Sequence, residues 1–145
     1  MNTAGKTGGM DRKVLLSTLW VFAVLNYLYC DVVGLMDSGI LKGYVAGNVG
    51  GMQITRGFLL GATALMEIPT AMIVLSRVLR FPANRWANII AGIIMTLVQI
   101  ATLFVGSGPA GYYIFSSTFE IAATALIVVL ALRWRTPETR AARND

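Results

Sequence analysis

Three carboxylates set inside long apolar runs are the residues of this chain best suited to chemistry. Asp31, Glu67 and Glu120 each occupy such a run, and no Lys or Arg lies deep enough in any of them to neutralise the acid. A charged side chain at the centre of a membrane helix costs about 2.5–3.5 kcal/mol, so three ionised acids would cost roughly 9 kcal/mol. The acids can keep their protons, accept hydrogen bonds from neighbouring Asn, Gln, Thr and Tyr, or hold a cation. The first and third remedies make their charge conditional on pH or on a ligand.

Other polar residues recur with the acids at helical spacing. Trp20, Tyr27 and Asp31 stand at i, i+7 and i+11, with Asn26 on a neighbouring face; Thr63, Glu67 and Thr70 follow in the second run. Asn88, Gly92, Met95, Gln99 and Thr102 mark the third run, and Tyr113, Ser116, Glu120 and Thr124 the fourth. Lipid offers polar groups no hydrogen bonds, so these stripes are expected to face a shared interior. The expected ligand-binding set is Asn26, Tyr27, Asp31, Thr63, Glu67, Asn88, Gln99, Tyr113, Ser116 and Glu120. At 1.5 Å per residue, Glu67 and Glu120 fall roughly 13 Å below the outer boundary, and Asp31 and Gln99 roughly 8–9 Å below it. The acids are therefore expected to converge on the outer half of a bundle. Plainer readings stand beside this one: Asn88, close to the inner interface, suits helix packing, and protonated Glu67 and Glu120 would stabilise a bundle by bonding across helices. Pro69 is expected to free a carbonyl and kink the helix next to Glu67.

The elements that must position these residues follow from composition. Of 145 residues, 56% are hydrophobic and 13% charged, about half the charged share of a soluble domain. The pattern predicts an all-α integral membrane four-helix bundle with spans at about 14–36, 58–79, 86–105 and 110–132. The first run exceeds the core of a cleavable leader, which is about 7–15 residues. Residues 1–12 read as a disordered tail, and 133–145 as a basic one. The segment 37–57 reads as a partly ordered, membrane-apposed linker; Gly39, Gly43, Gly47 and Gly51 would line one helix face there. Residues 81–85 and 106–109 read as turns.

Ten of the twelve bases flank one side of the spans, and only Lys42 and Arg56 lie on the other. That asymmetry predicts both termini in the cytoplasm of a cell whose inner membrane holds the chain. The bases are scattered between apolar runs, which argues against nucleic acid as a partner. No His is present and Cys30 stands alone, so thiolate–imidazole metal sites, imidazole catalysis and an intrachain disulfide are excluded. No phosphate loop, metalloprotease motif or nucleophile elbow appears, so neither a cofactor nor a catalytic residue is expected.

Three blocks carry a resemblance: Leu19-Trp20 with Asn26, Tyr29 and Asp31; Leu59-Leu60 with Met66-Glu67-Ile68-Pro69 and Leu75-Ser76-Arg77; and Asn84-Arg85-Trp86-Ala87-Asn88. Across most of residues 13–132 the chain resembles a small bacterial and archaeal family of four-span membrane proteins classed as a domain of unknown function. The resemblance implies a prokaryotic integral membrane protein and supplies no substrate. Two functions lead from the residues themselves, with a membrane enzyme whose paired carboxylates act on a lipid-soluble substrate as a third. One is an acidic intramembrane pocket for a cation, a proton or a small polar or cationic ligand, serving transport or sensing. The other is an accessory or structural subunit of a larger membrane complex. Partners would be membrane lipids and either a second copy or that complex.

Overall fold

The computed structural model describes residues 11–105 and 110–134. Its order is α1 (Arg12–Gly34), α2 (Ser38–Val45), β1 (Asn48–Val49), β2 (Met52–Gln53), α3 (Arg56–Val78), α4 (Phe81–Thr102) and α5 (Gly111–Leu132). Four of the five helices, α1, α3, α4 and α5, are long and apolar enough to cross a membrane. Arg12, expected in the N-terminal tail, instead begins α1; residues 1–10 and 135–145 of the two expected tails and the 106–109 turn lie outside the described residues.

The helices start and stop for local reasons. The Asp11 side chain accepts a bond from the Lys13 amide at the head of α1, and Thr55 Oγ1 accepts one from the Phe58 amide at the head of α3. Each relieves an amide that the first turn leaves without a partner. Phe81 and Pro82 open α4, so the expected 81–85 turn is instead the first helical turn. Proline fits there because its fixed φ suits a first turn and its missing N–H is not needed. α3 runs on through Pro69, which is buried inside it.

The 37–57 segment is ordered but differs from a single glycine-faced helix. Asp37 Oδ1 accepts bonds from the Gly39 and Ile40 amides to cap α2, and β1 and β2 then form a short antiparallel hairpin. Gly47 and Gly51 have φ of 73° and 85°, left-handed values that end the helix and close the hairpin rather than continue a helix face.

α1 is the shared element, packing on both α3 and α5, while α5 packs along α4; α3 meets α4 far more lightly. The core draws on Leu16, Trp20, Ala23 and Tyr27 from α1, Met72 from α3, Ala91 and Met95 from α4, and Ala123 and Ile127 from α5. Gly92 sets the α4–α5 approach: a Cβ there would lie 2.6 Å from Val128 Cγ2. Around this core the outer surface is apolar and bare, including Leu97, Phe115 and Leu126. Water-soluble domains rarely leave so extensive an apolar belt uncovered.

Cationic side chains close the end of the bundle that carries the termini. Lys13 Nζ donates to Leu79 O at 2.8 Å and Arg77 O at 3.4 Å. Arg12 donates to Leu130 O at 3.0 Å and Arg85 to Leu132 O at 3.2 Å. These carbonyls end α3 and α5, where helices lack internal donors and their dipoles favour positive charge.

Candidate functional site

Two polar clusters sit at opposite ends of the bundle. Near the terminal end, Trp20 Nε1 donates to Asn88 Oδ1 at 2.7 Å, and Ser76 Oγ donates to the same oxygen at 3.1 Å. Asn88 Nδ2 donates to Asn84 Oδ1 at 2.7 Å and Asn84 O at 2.9 Å; Asn84 Nδ2 donates to Ser76 O at 2.7 Å. All four residues are fully buried. The network ties α1, α3 and α4 together with each amide used on both its donor and acceptor sides. Helix-packing duty, the plainer reading of Asn88, is what its bonds display.

At the other end, α3 parts from α4 and a cavity of about 1070 Å³ opens beneath α2 and the hairpin. Asp31, Asp37, Tyr44, Asn48, Tyr112 and Tyr113 supply its polar lining, with Phe58, Gly61, Ala62 and Leu65 along the α3 wall. Neither Lys42 nor Arg56, the two bases of this end, lines it. Asp31 is exposed and Asp37 is engaged as the α2 cap. Burial, and then the nearby Asp31 carboxyl, hold the Tyr44 phenol above its ordinary range, so it stays a neutral donor well past neutral pH.

Beneath the cavity lies a second tier. Gln99 Nε2 donates to Ser117 Oγ at 2.8 Å, and the Thr96 and Thr124 hydroxyls lie 2.8 Å apart. Glu120 is 1% exposed and within electrostatic reach of Asp31, Tyr27 and Tyr113. Glu120 Oε1, Tyr27 Oη and Tyr112 Oη are buried without a hydrogen-bond partner among the described residues, as is Arg85 Nε at the terminal end. Buried polar groups are nearly always bonded, so three at one end mark a place built for something besides packing.

The structure thus gathers Tyr27, Asp31, Gln99, Tyr113, Ser116 and Glu120 at one end and sends Asn88 to the other. Ser116 lies beside the Cys30 thiol. Asn26 bonds only its own helix, donating to Phe22 O at 2.9 Å. Thr63 and Glu67 do not join the interior. Both are exposed, as is Thr70, on the side of α3 turned away from the bundle, because the buried face of this helix is Pro69, Met72 and Ser76. The Thr63–Glu67–Thr70 stripe therefore runs opposite to its expected direction, and the three acids do not share one pocket.

Several participants escaped sequence reasoning. Asn84 falls in the expected 81–85 turn, although Pro82 at a helix start places it one turn before Asn88 on the same face. Ser76 and Ser117 lie in apolar runs with no local signal. Tyr44 and Asp37 enter the cavity wall through the fold of α2, which composition alone does not specify.

Fold and site together define a small all-α protein with four helices of membrane-spanning character and a cavity at one end. Residues 7–141 match DUF6326, and the chain belongs to this family of unknown function. No curated protein and no solved structure matches the chain.

Proposed function

We propose that this is a multi-pass protein of a cell membrane that binds an organic cation with an apolar body in the cavity beneath α2 and the hairpin, walled by α3 and by the loop ends of α1 and α5. The observation carrying this reading is a cavity of about 1070 Å³ with two carboxylates and three phenols and, among the described residues, no base in its wall. Asp31 supplies the counter-charge, while Tyr44, Tyr112 and Tyr113 offer ring surfaces, which attract ammonium-type cations. Phe58, Ala62 and Leu65 take up the apolar part. Glu120, reached electrostatically from Asp31, lies behind this wall, and its charge would add a third carboxylate to those of Asp31 and Asp37. The asymmetry of bases supports an orientation with both termini in the cytoplasm and the cavity mouth on the outer face of a prokaryotic inner membrane. Transport or sensing of such a cation is the role this arrangement would serve.

Equilibrium dialysis of the detergent-solubilised protein with tetraphenylphosphonium tests the reading. Asp31→Asn is expected to weaken binding about tenfold, the equivalent of about 1.4 kcal/mol. A Cβ at Gly61 meets no atom within 4 Å, so Gly61→Leu grows into the cavity and should block binding while helical circular dichroism is retained. Absence of binding by the parent protein, or equal binding by both variants, would overturn it.

A further inference from the structure

α1 and α5 pack against one another and carry polar groups in matching steps that lead inward from the cavity. Asp31 and Tyr113 form the first step, in the cavity wall. At the second, the Cys30 thiol lies beside the Ser116 hydroxyl. The third is Tyr27, four residues before Asp31, with Glu120, four residues after Ser116. Four-residue spacing keeps each of these pairs on one helix face, a single turn apart.

The third step is incomplete. Tyr27 is 6% exposed and Glu120 1%, and neither Tyr27 Oη nor Glu120 Oε1 has a hydrogen-bond partner among the described residues. The two groups lie within electrostatic reach of each other, and a phenol is an able donor to a carboxylate, yet they do not bond. A gap wider than a hydrogen bond therefore separates them, with an oxygen carrying lone pairs on each side. Deeper in, the buried Trp20, Met95 and Ile127 fill the core, so the polar steps reach this gap from the cavity side.

The chemistry of the gap narrows its occupant. A water molecule would bond both oxygens but leave an uncompensated carboxylate in hydrocarbon. A proton would cancel the charge and leave the phenol unpaired. A small hard cation does both, because such ions take oxygen ligands and bring the missing charge. The single carboxylate of this step balances a single charge, and a narrow gap shielded from solvent suits a small ion stripped of its water. Further oxygens stand one turn to either side of Glu120, at Ser116 and Thr124.

We propose that Tyr27 and Glu120 form a buried site for an alkali cation of sodium size, one helical turn beneath the cavity floor. The site stands independently of the cavity reading. Where both hold, the two occupants oppose one another, since a filled site cancels the Glu120 charge that would otherwise attract the organic cation.

Thermal unfolding in nanodiscs and equilibrium dialysis with radioactive sodium, both at constant ionic strength, test the site. Sodium is expected to raise the unfolding temperature saturably, while potassium and choline, which screen surface charge equally, do not. Glu120→Gln should bind no labelled sodium and lose the sodium effect. In choline buffer it should unfold like the parent, which separates loss of the ion from loss of the fold. Tyr27→Phe, which removes one oxygen and little volume, should raise the half-saturating sodium concentration about tenfold or more. Equal responses to sodium, potassium and choline, the result that a bound water would give, would overturn the site. So would full sodium binding by Glu120→Gln. Sodium binding by a parent protein that takes up no tetraphenylphosphonium would leave this site standing and sink the cavity reading alone.

Discussion

The two ends of the bundle use nearly the same polar alphabet to opposite effect. At the terminal end, Trp20, Ser76, Asn84 and Asn88 close on one another, and each amide is used as donor and acceptor. At the loop end, Tyr27, Tyr112 and Glu120 are as deeply buried around their polar atoms yet have no partner. Amides and indoles can saturate one another because they donate and accept in known directions. A lone carboxyl among phenols, beside an open cavity, leaves capacity over. The difference separates polar residues kept for architecture from those that await something else, and burial alone would have grouped them together.

That contrast can be broken by stability measurements. Asn88→Leu removes the acceptor of Trp20 and Ser76 and the donor to Asn84 at once; the expected loss is about 2–4 kcal/mol, read from reversible denaturant unfolding in mixed micelles. Ser117→Ala removes one bond from the second tier, that of Gln99, and is expected to cost about 1 kcal/mol. Glu120→Gln should change stability least, by about 0.5 kcal/mol or less in either direction, because its buried Oε1 has no bond to lose and the replacement is nearly isosteric. If Glu120→Gln cost as much as Asn88→Leu, the distinction between the two ends would collapse. If it proved neutral while shifting the pH dependence of tetraphenylphosphonium binding, the distinction would sharpen.

The sequence exposed the four long helices clearly because their apolar runs are long and their interruptions few. It also marked Glu120, Gln99 and Tyr27 as inward-facing, since each shares helical spacing with other polar groups. It misdirected Glu67 for an intelligible reason. Spacing identifies which residues share a face of α3 but not which face turns inward, and Pro69, Met72 and Ser76 hold the opposite side. The same limit hid the cavity. Its walls bring together α2, the head of α3 and the loop ends of α1, α4 and α5, and no local pattern reports how far apart helices stand. Glycine spacing at 39, 43, 47 and 51 imitated a packing stripe, while two of those glycines serve positive-φ turns.

The fastening of α3 has a mechanical consequence. Ser76 and the carbonyls of Arg77 and Leu79 are gripped by Asn88, Asn84 and Lys13, whereas its opposite half carries few buried groups. An element clamped at one extremity opens first at the other, so amide exchange should run fastest around residues 57–65 and slowest around 72–76. Phe58, Gly61, Ala62 and Leu65 of the cavity wall all belong to that loosely held half.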